Sequence, residues 1–163
     1  MTQAIQQFLQ GFLGAPGVVF ILSLLPVSEI RGGLIAARIM GMDIVPAFLI
    51  SYIGNMLPIP VILLFLKKVF AWLKRFPKLG RLIERLQSRA AKKSKKIDTY
   101  KLWGLFVLVA IPLPGTGAWT GALVADFLDM PMHKSLPAIA AGVFAAGLIV
   151  SALMYLVPSL FGI

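Results

Sequence analysis

Four ionisable side chains lie within or at the ends of otherwise apolar stretches: Glu29, Arg31, Arg38 and Asp126. A charge at the centre of a membrane-spanning helix costs about 2.5–3.5 kcal/mol on insertion scales, so such groups need a hydrated cavity or each other. Two chemistries suit them. An acid in apolar surroundings can carry a coupling proton, and an arginine can hold an anionic group. Glu29 and Arg31 are two residues apart and do not share a helical face. Gly32 and Gly33 beside them allow a non-helical turn in which both point inward. Arg31 and Arg38, seven apart, would share a face. The structural alternative is a buried charge pair that pins its segments together.

A second set of candidates lies in Ile111–Asp126, IPLPGTGAWTGALVAD. This stretch sits inside an apolar segment, 102–127, that would be one uninterrupted helix if it simply crossed a membrane. Pro112, Pro114, Gly115 and Gly117 break it instead. Broken backbone at membrane depth is tolerated only where it is buried in protein or lines a watery cavity. The turn Pro114–Gly117 should offer free N–H groups at the start of the next half-helix, and such an end attracts anions. Gly115, Thr116, Gly117 and Trp119 therefore join the expected substrate site, with a phosphate as its guest if Arg31 or Arg38 is near. There is no P-loop lysine, no nucleophile–base pair and no metal spacing. His133 is the one histidine and there are no cysteines, so no enzyme, metal or cofactor is expected.

The elements that must position these residues come in two similar halves. Residues 18–37, VVFILSLLPVSEIRGGLIAA, form an earlier broken segment, interrupted at Pro26. A shift of 88 sets GGLIAAR (32–38) beside TGALVAD (120–126), and Pro26 beside Pro114. After each broken segment (18–40 and 102–127) comes a short turn and then a long apolar span, 46–66 or 137–157. This order suits transporter repeats. The expected fold is an all-α integral membrane protein: two inverted repeats, each a broken, re-entrant helical hairpin followed by a transmembrane helix. Amphipathic interfacial helices are added at 3–13 and within 69–89. The whole chain, 1–163, reads as one membrane domain, with 1–66 and 102–163 as the repeats.

Composition agrees. The chain is 59% hydrophobic and only 13% charged, half the charge of an ordinary soluble domain. Thirteen of its sixteen Lys and Arg fall in 67–101 with two of the six acids, a local net charge of +11 that leaves −1 elsewhere. That segment is expected in the cytoplasm of a multi-pass protein of the cell (inner or plasma) membrane. It would attract anionic membrane lipids by about 1 kcal/mol per basic residue near the surface. Nucleic acid is not an expected partner. With re-entrant hairpins the two halves are inverted; with four full crossings they are not. Four apolar segments are few for a closed pathway, so a homodimer is expected.

PVSEIRGGLIAA (26–37) and PLPGTGAWTGAL (112–123) resemble the two signature stretches of the small multidrug export protein family. More distantly, PGTGAWTGALVADFLDMP is similar to the proline–glycine–arginine hairpin of the DedA/VTT superfamily. That second resemblance implies paired re-entrant hairpins and proton-dependent movement of lipids such as undecaprenyl phosphate. Those relatives carry arginines after the Pro-Gly, where this chain has Thr116, Gly117 and Trp119. An anion site must then borrow Arg31 and Arg38, with Glu29 as the acid of the first hairpin. The resulting expectation is a transporter of an anionic lipid headgroup such as polyprenyl phosphate. The alternatives are a proton-coupled exporter of small cationic compounds, using Glu29 and Asp126, and a membrane scaffold that transports nothing.

Overall fold

The computed structural model describes residues 14–73, 96–113 and 115–156, all in helices and turns. The expected amphipathic helix at 3–13, and most of the basic segment, lie outside the described residues. The first half contains α1 (Gly14–Leu24), α2 (Glu29–Ile39), α3 (Ile44–Met56) and α4 (Ile59–Leu73). The second contains α5 (Lys96–Ala110), α6 (Ala118–Phe127) and α7 (Met132–Ser151), which ends in a π-turn over Ala152–Leu156.

Both breaks fall where proline removes a backbone donor. Residues 25–28 separate α1 from α2 around Pro26. Ser28 Oγ donates to Leu22 O there, satisfying a carbonyl left open at the end of α1. In the second half, residues 111–117 part α5 from α6, and Gly115 and Gly117 take φ of 82° and 137°. After each break the chain packs back on itself. A Cβ on Gly33 of α2 would strike Ser23 Oγ of α1, and one on Gly121 of α6 would come within 2.6 Å of Val109 on α5. Glycine is what permits that approach.

The 88-residue shift recurs in the backbone. Helix α2 ends at Ile39 and α6 at Phe127; α3 starts at Ile44 and α7 at Met132. Both intervening turns are Schellman caps, with Met42 N–H on Ala37 O in one and Met130 N–H on Ala125 O in the other, each at 2.9 Å. The left-handed residue is Gly41 in the first and Asp129 in the second, at φ 71° and 54°. Aspartate is among the few side chains that tolerate this conformation.

Helices α3 and α7 run in opposite directions. Tyr52 Oη donates to Ala140 O at 3.3 Å, and one turn back along α3 Phe48 meets Phe144 edge-on at 5.3 Å. Partner numbers fall on one helix as they rise on the other, which only antiparallel helices give. The core around them is Ile30, Leu34, Ile59, Leu63, Val109, Ile139 and Val143.

Two helical runs, Ile44–Val69 and Met132–Leu156, are long and apolar enough to cross a membrane. Val45, Leu49, Ile53, Leu57, Val61 and Phe65 are all exposed and recur every fourth residue. At 1.5 Å per residue that stripe is about 30 Å long, the thickness of a bilayer's hydrocarbon core.

Two sequence boundaries are corrected. The last span begins at Met132 rather than 137, because Pro131 stands at the N-cap, where its missing N–H costs nothing, and Pro137 is carried inside the helix. The span expected at 46–66 starts at Ile44 and its helical path continues to Leu73. At Pro58 the path shows a two-residue turn, and Ile62 N–H donates to Pro58 O at 2.9 Å, so the chain stays helical across it.

Candidate functional site

The start of α2 and the start of α6 meet. Glu29 is the first residue of α2 and is only 5% exposed. Its φ of 50° is a left-handed conformation that costs a non-glycine residue about 1–2 kcal/mol. Its carboxylate lies on the N-terminus of α6, where Ala118 N–H donates to Oε2 at 3.3 Å and Trp119 N–H donates to Oε1 at 3.2 Å. An anion at a helix N-terminus answers both the unpaired N–H groups and the positive end of the helix dipole. The chain thus fills its own anion-binding position.

Arg31 completes the junction from the other side. Its Nη1 donates to Leu113 O, and its Nη2 donates to Thr116 O at 2.5 Å and to Thr116 Oγ1 at 3.1 Å. Thr116 Oγ1 also reaches Ile111 O at 2.7 Å and Leu113 O at 2.8 Å, which folds the loop tightly around the guanidinium. The break exposes donors at one end and acceptors at the other. Glu29 meets the donors and Arg31 meets the acceptors, both from the opposite half of the chain.

Gly117 is required by this contact. A Cβ there would fall on the Glu29 carboxylate, and its φ of 137° is open only to glycine without strain. Thr120 Oγ1 donates to Gly115 O at 3.0 Å and closes the loop. A cleft of about 280 Å³ opens onto the junction, lined by Pro26, Val27, Ser28, Glu29, Arg31, Gly115, Thr116 and Thr120.

Six of the eight expected site residues are thereby brought together: Glu29, Arg31, Gly115, Thr116, Gly117 and Trp119. Arg38 and Asp126 are not with them. They sit at the last turns of α2 and α6, nine residues after Glu29 and eight after Ala118, about 12–14 Å along each helix. Arg38 lies over the Tyr155 ring, 5.3 Å from its centroid, and Tyr155 Oη donates to Met42 O at 3.1 Å. Seven-residue spacing does put Arg31 and Arg38 along one helix, but Arg31 turns away into the break. The N–H groups expected to be free at the turn are taken by Glu29. The sequence reading did not find the carbonyls of Leu113 and Thr116 as partners, because backbone acceptors leave no trace in residue type. Among the described residues there is no group of acidic, histidine or cysteine side chains that could hold a metal.

The family model described as "Putative small multi-drug export protein" matches residues 29–149, and the chain belongs to that family. No curated protein and no solved structure matches it. The matched region begins at Glu29 and contains every contact of the junction. With its two helical runs of membrane-crossing length and apolarity, the chain is a membrane protein of an export family.

Proposed function

We propose that this member of the small multi-drug export family is a multi-pass transporter of the cell membrane in which Glu29 and an anionic headgroup take turns on the N-terminus of α6. One observation carries the reading: the Glu29 carboxylate occupies a two-donor helix end beside an open cleft, with Arg31 as its neighbour. Helix N-termini are ready sites for phosphate and carboxylate. A proton on Glu29 turns a charged acceptor into a neutral acid and weakens both bonds, since bonds to charged groups are the stronger kind. The end of α6 is then open to an incoming anion, with the Arg31 guanidinium beside it to pair with phosphate oxygens. A lipid phosphate such as a polyprenyl phosphate fits that chemistry, in keeping with the resemblance to DedA proteins.

The membrane topology we favour has two inverted halves. Support comes from the 88-residue recurrence of helix ends and caps, and from the antiparallel run of α3 against α7. Helices α2 and α6 have 11 and 10 residues, about 15–16 Å each, half of a hydrocarbon core. Arms of that length suit re-entrant hairpins whose tips meet near the bilayer midplane. The basic segment 67–101 would then face the cytoplasm and its anionic lipids.

The family's name points to drug export and so keeps a second reading, which we take as proton-coupled export of small cationic compounds with Glu29 and Asp126 as the acids. Substrate sign separates the two. In proteoliposomes the wild type should move a labelled polyprenyl phosphate between leaflets, and Arg31→Ala and Glu29→Gln, correctly inserted, should not. Full lipid movement by both variants refutes the site. A cationic dye moved in place of the lipid phosphate refutes the anion and selects the second reading.

A further inference from the structure

Asn55 lies on α3, wholly buried, and neither its Oδ1 nor its Nδ2 has a hydrogen-bond partner. Ser51, one turn earlier on the same helix, is also wholly buried, with its Oγ unpartnered. Buried polar groups left unsatisfied are costly, and a side-chain amide has both a donor and an acceptor to lose. The second half does not repeat the feature. The residues 88 further on are Ile139 and Val143, both core residues.

The register of α2 against α3 places this amide. The two helices are joined by the short turn after Ile39 and run antiparallel, and a Cβ on Gly33 would come within 2.8 Å of Ser51 Oγ. Four residues back from Gly33 is Glu29; four residues on from Ser51 is Asn55. Each step is one helical turn, about 6 Å in the same direction, so Asn55 stands at the level of Glu29.

We infer that Asn55 is the second station of the Glu29 side chain, holding it as a neutral acid while the N-terminus of α6 is occupied by substrate. This rests on the transport reading above and adds to it where the displaced acid goes. The pairing is chemically matched. A protonated carboxyl donates O–H to the amide Oδ1 and accepts from Nδ2, so both orphaned atoms of Asn55 are satisfied at once. A carboxylate could use only the donor. The proton comes from water in the cleft onto a carboxylate oxygen, returns when Glu29 goes back to Ala118 and Trp119, and no other bond changes.

The surrounding charges suit a neutral acid at that level. Helix α1 carries no titratable residue, and α3 offers only Tyr52, whose hydroxyl is bonded to Ala140 O. Asp126 is at the far end of α6, His133 and Lys134 are exposed at the start of α7, and Tyr155 on the π-turn lies under Arg38. Arg31, two residues along the chain, is held on the break by Leu113 and Thr116. Asn55 is thus a positioning residue. It acts on substrate only through Glu29.

The test uses the full chain in lipid bilayers and the substitutions Asn55→Leu and Glu29→Gln. Infrared difference spectra between alkaline and acidic buffer should show a carboxylic acid C=O band that is lost in Glu29→Gln. In Asn55→Leu the band should remain but move to higher frequency, because the acid has lost its amide partner. The leucine variant should resist denaturant as well as the wild type or better, since two unsatisfied atoms are gone. Its proton-linked transport should still be about tenfold slower, the rate equivalent of one lost hydrogen bond. An acid band that Glu29→Gln leaves in place, or that Asn55→Leu leaves unmoved, overturns the inference. A moved band in a protein that transports nothing keeps the second station and overturns the transport reading instead.

Discussion

The contact between Glu29 and the start of α6 can be weighed by a double-mutant cycle with Gly117. In the wild type the carboxylate accepts two N–H bonds, at 3.3 and 3.2 Å, within a buried site. Hydrogen bonds to a charged group contribute about 1.5–3 kcal/mol each to stability, so the pair should be worth about 3 kcal/mol or more. Gly117→Ala puts a Cβ where the carboxylate lies and so expels it. It also strains a backbone at φ 137°, a cost of about 1–3 kcal/mol for a residue other than glycine. Glu29→Ala removes the carboxylate directly. It leaves the Arg31 charge without its neighbour, but that penalty appears in both Glu29→Ala arms of the cycle and cancels. The double variant should therefore be more stable than the sum of the singles by about 3 kcal/mol, because the same two bonds cannot be lost twice. The measurement is reversible unfolding of the four proteins in mixed micelles. Agreement of the double variant with the sum to within about 0.5 kcal/mol would mean that Glu29 and Gly117 do not interact, and the junction described here would be wrong.

Arg31→Lys should fail although it keeps the charge. Lysine has no planar fork to span Leu113 O and both oxygens of Thr116, so transport should fall about tenfold or more with the protein still inserted; wild-type rates would show that charge alone suffices. A glycine pair tests the packing. Gly142→Ala drives a Cβ to 2.7 Å from Val109 Cβ and 3.0 Å from Phe106 O, and should destabilise by about 1–3 kcal/mol. Gly104→Ala, on α5 with nothing within 4 Å of the new Cβ, should instead stabilise by up to about 1 kcal/mol. Unfolding of the two variants under one set of conditions checks both signs.

Much of this arrangement is legible in residue type. Proline and glycine act locally, so Pro26 and the run from Pro112 to Gly117 locate both breaks, and the 88-residue shift follows from matching them. Helix caps are local too, which is why Gly41 and Asp129 fall where the shift places them. What residue type does not carry is the partner of a side chain in the other half. Glu29 and Arg31 read as substrate ligands or as a charge pair with each other; the structure bonds each of them to the broken backbone of the other half. Arg38 reads as a second anion ligand because seven-residue spacing gives a shared face but not a shared level: two turns, about 10 Å, separate it from Arg31, and it lies over Tyr155 instead. Asn55 gives no such signal, because a lone amide in an apolar span looks the same in sequence whether it is bonded or orphaned.

The deeper regularity is that residues 88 apart touch each other. Glu29 lies on Gly117, and Tyr52 donates to Ala140 O. In an object built of two related halves, only residues near the axis relating them can meet their own counterparts. On the inverted-repeat topology proposed above, the junction and the middle of the α3–α7 pair would mark one line through the molecule. Two identical halves would bring two carboxylates, or two bare helix ends, together on that line, and either is unfavourable. Here one half brings Glu and the other brings Gly, so the acid of the first finds the space and the donors of the second. Asn55 and Ser51 against Val143 and Ile139 depart from identity in the same sense, with polar atoms in the half that owns the acid. On the transport reading proposed above, that asymmetry would give a single side chain two places to go.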